Sequence, residues 1–512
     1  MDLIDKLTIL TDGAKYDAAC TSSGVSRPGK TLAAGCCHSF TADGRCISLL
    51  KTLMSNDCVF NCRYCINRSS NDLPRTTFTP DELAELTIQF YKRNYIEGLF
   101  LSSAVVKNPD YTMELMINAL TILRYKHDFW GYVHAKTIPG AAPELVSRLG
   151  YLADRMSVNI ELPSEKSLAL LAPGKSKDSI IAPMRQIRNK LSERAINRLP
   201  AHRGFEESSA NELLFRSSLP MLSKKSQPFA PAGQATQMII GATNDTDYQI
   251  ITLASALYEK FDMKRVFYSA YVPVADDSLL PSLVTPPPLL REHRIYQADF
   301  LMRRYGFASS EILSEETPNF NPFLDPKCNW AISNMHFFPI DVNTASKREL
   351  LRVPGIGPIS AQRIIKARRE GKLGLDELKR IGVVLKRARF FILTKDDRAI
   401  PKFTREMTVR ALVDPKVFSF GMEQLSLFSD AAAPPAMQDR GEGVSGFLAD
   451  DKVKQNLLSI NGSILPEGTA GFSHNAHHSH PQASFRWGDI SHNASMNEAV
   501  EEMISCLSSK SL

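Results

Sequence analysis

Between about Ser48 and Val274, short apolar runs alternate with amphipathic stretches of helical period. That order is the mark of a parallel α/β sheet, and it limits the fold more than any other feature of the chain. The runs at 47–54, 98–103, 131–137, 156–162, 237–241 and 266–272 read as six strands. Helices are predicted between them at 80–94, 113–125, 143–149 and 247–261. The first has Thr79 as N-cap and places Asp81 and Glu82 in its opening turn, where the helix dipole favours acids. Six βα units make a partial (β/α)6 barrel of the TIM type, and a barrel of parallel strands collects its functional side chains at the C-terminal strand ends.

Directly after the first run comes Cys58-Val-Phe-Asn-Cys62-Arg-Tyr-Cys65, three thiols within eight residues. Soft ligands this close can hold one metal centre, and they suit iron and sulfur better than a hard cation. A [4Fe–4S] cluster held by three cysteines keeps one iron without a protein ligand, and that iron is open to chemistry. Zinc sites usually complete a set of four from two separate knuckles. Here the next cysteine is Cys328. A structural zinc knuckle and a disulfide-bearing loop are the plainer readings of the same residues.

At 512 residues the chain is expected to hold about two to four domains. Its 43% hydrophobic and 23% charged content is that of an ordinary globular protein. No apolar run reaches bilayer length, and Met1-Asp-Leu-Ile-Asp-Lys6 has no basic region followed by an apolar one, so a cytoplasmic location is expected and no membrane partner. The net charge of +6 is modest for this length and does not by itself indicate nucleic-acid binding. Seven of the 9 cysteines lie between Cys20 and Cys65, a distribution that fits a reduced compartment and metal chemistry rather than a secreted disulfide scaffold. Cys20, Cys36, Cys37 and Cys46 could ligate a second cluster or a zinc ion, or be small buried residues lining a cap over the barrel mouth.

Beyond the barrel, three consecutive prolines within 281–288 mark a stiff boundary, and 291–305 reads as a basic amphipathic helix. Then follows Asp341-Val-Asn-Thr-Ala-Ser-Lys-Arg-Glu-Leu-Leu-Arg-Val-Pro354-Gly355-Ile356-Gly357. Helical periodicity is broken at Pro354 to Gly357 and resumes through Arg369. This resembles the helix-hairpin-helix DNA-binding motif. Gly355 and Gly357 are expected to allow the turn, and amides at the start of the second helix to bond phosphate without reading bases. Arg363 and Lys366 on that helix support contact with a polyanion. Residues 371–391 look like a partial second copy. The stretch after about Thr404 reads as a largely disordered tail, and in it His474, His477, His478 and His480 form a histidine-bearing run.

The cysteine spacing, with Tyr64 at its aromatic position, resembles the radical S-adenosylmethionine (SAM) enzymes. That resemblance implies a [4Fe–4S] cluster on Cys58, Cys62 and Cys65, with SAM chelating the open iron. It also implies a SAM pocket at the strand ends, formed by Tyr64, Ser102, Ser103, Glu161 and Gly241. The serines stand where the family commonly has a Gly-Gly-Glu-like segment for the SAM amino group. Glu161 would hold the ribose or the methionyl amine, and Gly241 would let backbone approach adenine.

The implied organisation is a cysteine-bearing lead at 1–46, the barrel at 47–280, a proline-rich hinge with connecting helices at 281–335, the helix-hairpin-helix domain at 336–400 and the tail at 401–512. The whole arrangement resembles the DNA modification or repair radical SAM proteins linked to uracil-DNA glycosylase. It implies radical chemistry on a nucleotide in DNA, a glycosylase-like partner, and an electron donor such as flavodoxin or ferredoxin. An RNA- or tRNA-modifying radical SAM enzyme and a non-enzymatic iron-sulfur DNA-binding protein are the alternatives.

Overall fold

In a computed structural model, which describes residues 1–14, 36–40, 46–196, 227–274, 276–397, 403 and 405–413, seven strands form one sheet in sequence order. They are β1 (Cys36–Phe40), β2 (Cys46–Leu53), β3 (Gly98–Ser102), β4 (Tyr132–Lys136), β5 (Arg155–Ser157), β6 (Gln234–Ile240) and β7 (Arg265–Ala270). From β2 to β7 each strand pairs in parallel with the next, so six parallel strands curl into the expected half barrel. β1 is an addition to the predicted set and lies antiparallel to β2, with Phe40 opposite Cys46.

Alternation along the strands separates the two faces of the sheet. Leu99 and Leu101 of β3, Val133 and Ala135 of β4, Met156 of β5, and Met238 and Ile240 of β6 are buried in the core shared with the surrounding helices. The residues between them face the barrel axis. There the rings of Phe100 and His134 meet edge to face at 4.7 Å, and His134 Nε2 lies 3.1 Å from Ser157 Oγ.

Local signals explain most element boundaries. Thr79 and Glu82 form a reciprocal capping box at the start of the helix Pro80–Lys92, and Thr246 and Gln249 do the same for Asp247–Phe261. The helix predicted at 113–125 starts earlier, at Pro109, because Asn108 accepts a hydrogen bond from the Tyr111 amide and proline fits the first turn. β5 is shorter than its apolar run. The Thr236 hydroxyl donates to the Val158 carbonyl (2.7 Å) and accepts from the Ile160 amide (3.0 Å), taking over bonds that a strand neighbour would make. Pairing resumes for one residue, Glu161 opposite Met238.

The helices Leu289–Phe300 and Pro326–Ser333 supply the middle of a second core. It runs from Ile251 on a barrel helix, through Ala298, Leu301, Trp330 and Ile332, to Leu350, Val353, Ile364 and Phe391. Its far end carries the helices Lys347–Arg352, Pro358–Ala367, Leu375–Ile381 and Leu385–Ala388, closed by parallel pairing of β8 (Ile340–Asp341) with β9 (Ile392–Leu393). A helix Arg405–Leu412 follows. Cys20 and the histidine run at 474–480 lie outside the described residues. No described helix is long and apolar enough to cross a membrane.

Candidate metal centre and hairpin unit

The three cysteines lie on the loop that follows β2, at the C-terminal end of the parallel sheet, with Cys62 buried and Cys58 and Cys65 half-buried. The loop keeps its shape through backbone bonds to neighbouring strand ends. The Met54 amide donates to the Ser102 carbonyl (2.7 Å), Ala104 to Ser55 (2.9 Å) and Val59 to Val105 (2.8 Å). Ser102 and Ser103, expected near the site, are therefore brought against the cysteine loop. The Ser103 hydroxyl donates to the Ala104 carbonyl at 2.7 Å.

The main brace of the loop is Arg75, which the sequence reading did not single out. Its guanidinium donates to four carbonyl oxygens, those of Asn56 (2.5 Å), Asn67 (2.8 Å), Arg68 (2.7 Å) and Asn71 (2.8 Å). A second brace comes from the proline-bearing segment after β7. Asp277 accepts from Arg63 Nη1 at 3.0 Å and from Arg68 Nη1 at 3.4 Å. Leu280 of the same segment packs in a small apolar cluster with Leu162, Ala242 and Tyr64.

Beside the thiols stands a buried polar group. Lys175 Nζ donates to Glu161 (3.0 Å) and to the Tyr64 hydroxyl (3.4 Å), and the Lys175 and Glu161 side chains are only 13% and 12% exposed. Burial works against the charge on Lys175, but Glu161 and Tyr64 outweigh it and hold the ammonium protonated. The cation facing Glu161 is thus Lys175, 14 residues further along the chain. Glu161 has a left-handed backbone, φ 64°, where its chain turns back to the single bridge with Met238.

Gly241 is also left-handed, φ 85°, and a Cβ there would meet Pro288 Cγ at 2.6 Å. A proline ring therefore packs against Gly241.

Burial pushes the Cys62 thiol up, with the Lys175 ammonium and hydrogen bonding by Tyr64 pulling the other way, and burial pushes Cys65 up to about 12. Such thiols keep their protons until a metal replaces them. Among the described residues no group of three or more His, Cys, Asp or Glu side chains converges as for a single metal ion. A cubane binds each cysteine to a different iron, so its ligands need not converge on one point. Three soft donors on one braced loop, one buried and two half-buried, fit an iron-sulfur cluster. Of the four upstream cysteines, Cys46 is exposed at the start of β2 and Cys36 and Cys37 lie on β1.

In the second core two hairpins pack together. Gly355 is left-handed (φ 87°) and its carbonyl accepts from the Val384 amide of the second hairpin at 3.0 Å. Gly357 differs from expectation: its backbone is extended (φ −98°, ψ 173°) and caps the helix Pro358–Ala367, so the turn itself uses only Gly355. The second hairpin turns at Gly382, φ 96°. Ser360 donates to the Gly382 carbonyl (3.0 Å) and Arg363 to that of Ile381 (3.1 Å), while Arg363 and Lys366 stay exposed. Ile359 and Val384 stand out at the tips, 65% and 51% exposed. From behind, the buried Lys327 donates to the Ile356 carbonyl at 2.7 Å.

Residues 52–215 match the model of the Radical SAM superfamily, and residues 337–381 that of the Helix-hairpin-helix motif. The chain therefore carries a radical SAM domain, the domain of an enzyme, and a helix-hairpin-helix motif on its C-terminal side. That superfamily implies a [4Fe–4S] cluster and SAM.

Among solved structures the chain is similar to HydG, a maturase of the [FeFe]-hydrogenase, at 16% identity and a TM-score of 0.32, over 49% of this chain and 48% of that one. It is similar to HydG from Carboxydothermus hydrogenoformans at 14% and 0.32, over 49% and 50%. A third likeness is to anSMEcpe with bound AdoMet, at 12% and 0.29, over 50% and 59%. The chain thus spans between 48% and 59% of the length of these structures. No curated protein matches it.

Proposed function

We propose that this enzyme performs radical SAM chemistry on a nucleotide in DNA. The observation that carries the reading is one continuous second core that joins a helix of the half barrel, the barrel whose mouth carries the three-cysteine loop, to a pair of stacked hairpins with exposed basic side chains. When bound, the cluster and SAM supply a 5′-deoxyadenosyl radical on one-electron reduction.

The chain's own residues do the holding. Cys58, Cys62 and Cys65 hold the cluster. Tyr64, Ser102, Ser103, Glu161 and Gly241 are the positions offered to SAM on the strand-end face, Glu161 through the charge it shares with Lys175. The first-turn amides of Pro358–Ala367, which have no partner within the helix, with Arg363 and Lys366, grip a phosphate backbone without reading sequence. A barrel site cannot reach a stacked base, so the substrate is a damaged or flipped nucleotide. The electron comes from a small donor such as flavodoxin or ferredoxin, and a uracil-DNA-glycosylase-like protein is a partner to test.

The experiment is anaerobic reconstitution with iron, sulfide and SAM, followed by incubation with duplexes carrying single lesions. The expected results are 5′-deoxyadenosine release that Cys58→Ala abolishes, and a mass change in one oligonucleotide. A loaded cluster that releases no deoxyadenosine removes the radical reading. Release with no change in any duplex, and none on DNA addition, removes the DNA reading.

A further inference from the structure

Lys175 occupies an unusual position for a charged side chain. It follows the helix Glu165–Leu171 and is anchored by its own backbone, its amide donating to the Ala172 carbonyl at 2.9 Å. The same short segment touches the cysteine loop twice. The Arg63 amide donates to the Leu171 carbonyl at 2.8 Å, and a Cβ on Gly174 would lie 3.0 Å from the Phe60 ring, so the segment and the loop are in close packing. The Lys175 ammonium reaches from this segment to the Tyr64 hydroxyl and lies 5.9 Å from the centre of the Tyr64 ring, between Cys62 and Cys65 in sequence.

Two acceptors, Glu161 and Tyr64, fix its direction, and with side-chain exposure of 13% water screens it little. A lysine needed only for solubility has no reason to be here, and removing water from an ammonium is costly unless its charge is used.

We propose that Lys175 is a positioning residue: through Tyr64 and Glu161 it fixes a positive charge against the thiolates of a cluster bound at Cys58, Cys62 and Cys65, and that charge raises the cluster's reduction potential. The inference rests on the cluster reading above. Charge and hydrogen bonds near the sulfurs are among the levers that set such potentials. The sign follows from electrostatics. Reduction adds an electron to an already anionic centre, so a fixed cation stabilises the reduced form and a fixed anion destabilises it. Lys175 and Glu161 therefore act in opposite directions on one quantity.

The test uses the full chain, reconstituted anaerobically, with iron counted per chain and the cluster midpoint measured by redox titration followed by electron paramagnetic resonance. Lys175→Gln is expected to lower the midpoint, Lys175→Arg to restore it, and Glu161→Gln to raise it. A merely structural role would not give shifts of opposite sign from two partners in one ion pair. If Lys175→Gln loads no cluster while Lys175→Arg loads it fully, the requirement for the charge is supported by the loading itself. Equal midpoints in wild type and Lys175→Gln, a higher midpoint in Lys175→Gln, or loss of loading in both Lys175 variants overturns the proposal. A wild-type chain that takes up no iron overturns instead the cluster reading on which it rests.

Discussion

The cysteine loop and the first hairpin are both irregular segments held by one basic side chain that donates to backbone carbonyls, and they differ in which base does it. Arg75 gathers four carbonyls on one guanidinium, all within 19 residues of itself. Lys327 comes from 29 residues away and donates to the single carbonyl of Ile356, its ammonium lying over the Tyr305 ring at 4.5 Å. A guanidinium stays charged and presents its donors in a fixed fork, whereas a buried ammonium is a point charge that can lose its proton. A guanidinium brace of this kind thus does not depend on a titrating proton. The hairpin is held by a charge that titrates.

The sharpest way to break this comparison is Arg75→Met. It orphans four carbonyls at once, so we expect a stability loss on the order of 3 kcal/mol and iron uptake near zero, read from urea unfolding and iron content. Arg75→Lys should rescue little, because one ammonium cannot span the fork.

Gly355→Ala comes next. It forces a side chain into φ 87° with its Cβ 2.5 Å from the Val384 carbonyl, and about 1–3 kcal/mol should be lost in thermal unfolding. Gly357→Ala, in extended backbone with only Tyr305 Oη at 3.5 Å, should keep that stability.

A subtler effect belongs to Lys327. Burial depresses it to about 7 from an ordinary 10.5, with Asp325 and Cys328 opposing and Arg352 adding to the shift. The unfolded chain then binds a proton that the folded chain has lost between those values, so this residue makes stability rise as pH increases from about 7 towards 10.5. Lys327→Met should flatten that rise in unfolding midpoints measured across the window, and an unchanged slope would mean the lysine is not the titrating group.

The smallest stability change is expected for exposed Arg363→Ala, within about 0.5 kcal/mol. Its duplex affinity should still fall, with the salt slope reduced by about one.

The apolar runs made the six parallel strands and the barrel legible, because each strand buries one face under helices and the period of two cannot be hidden. The cysteine spacing marked the loop at the barrel mouth, and Pro354 to Gly357 the hairpin, since both are compact in sequence. What stayed illegible was long-range pairing. Nothing local marks Lys175, which the fold sets against Glu161, and Asp277 lies 214 residues from Arg63. Arg75 could not be told from a surface arginine, because nothing local says that four carbonyls will turn towards it. Gly357 shows the limit of reading glycines: it was expected in the turn and needs no glycine conformation at all.

The grip of Asp277 on Arg63 and Arg68 has a consequence for how the molecule can be divided. A chain cut after Ala270 would keep every strand of the sheet, all three thiols and Arg75, and would look from its sequence like an intact barrel. It would lack the carboxylate that pins the cysteine loop from outside, and the Pro288 ring that fills the space over Gly241. The barrel half therefore ends not where its last strand ends but some eighteen residues later, inside the stretch whose prolines advertise a boundary.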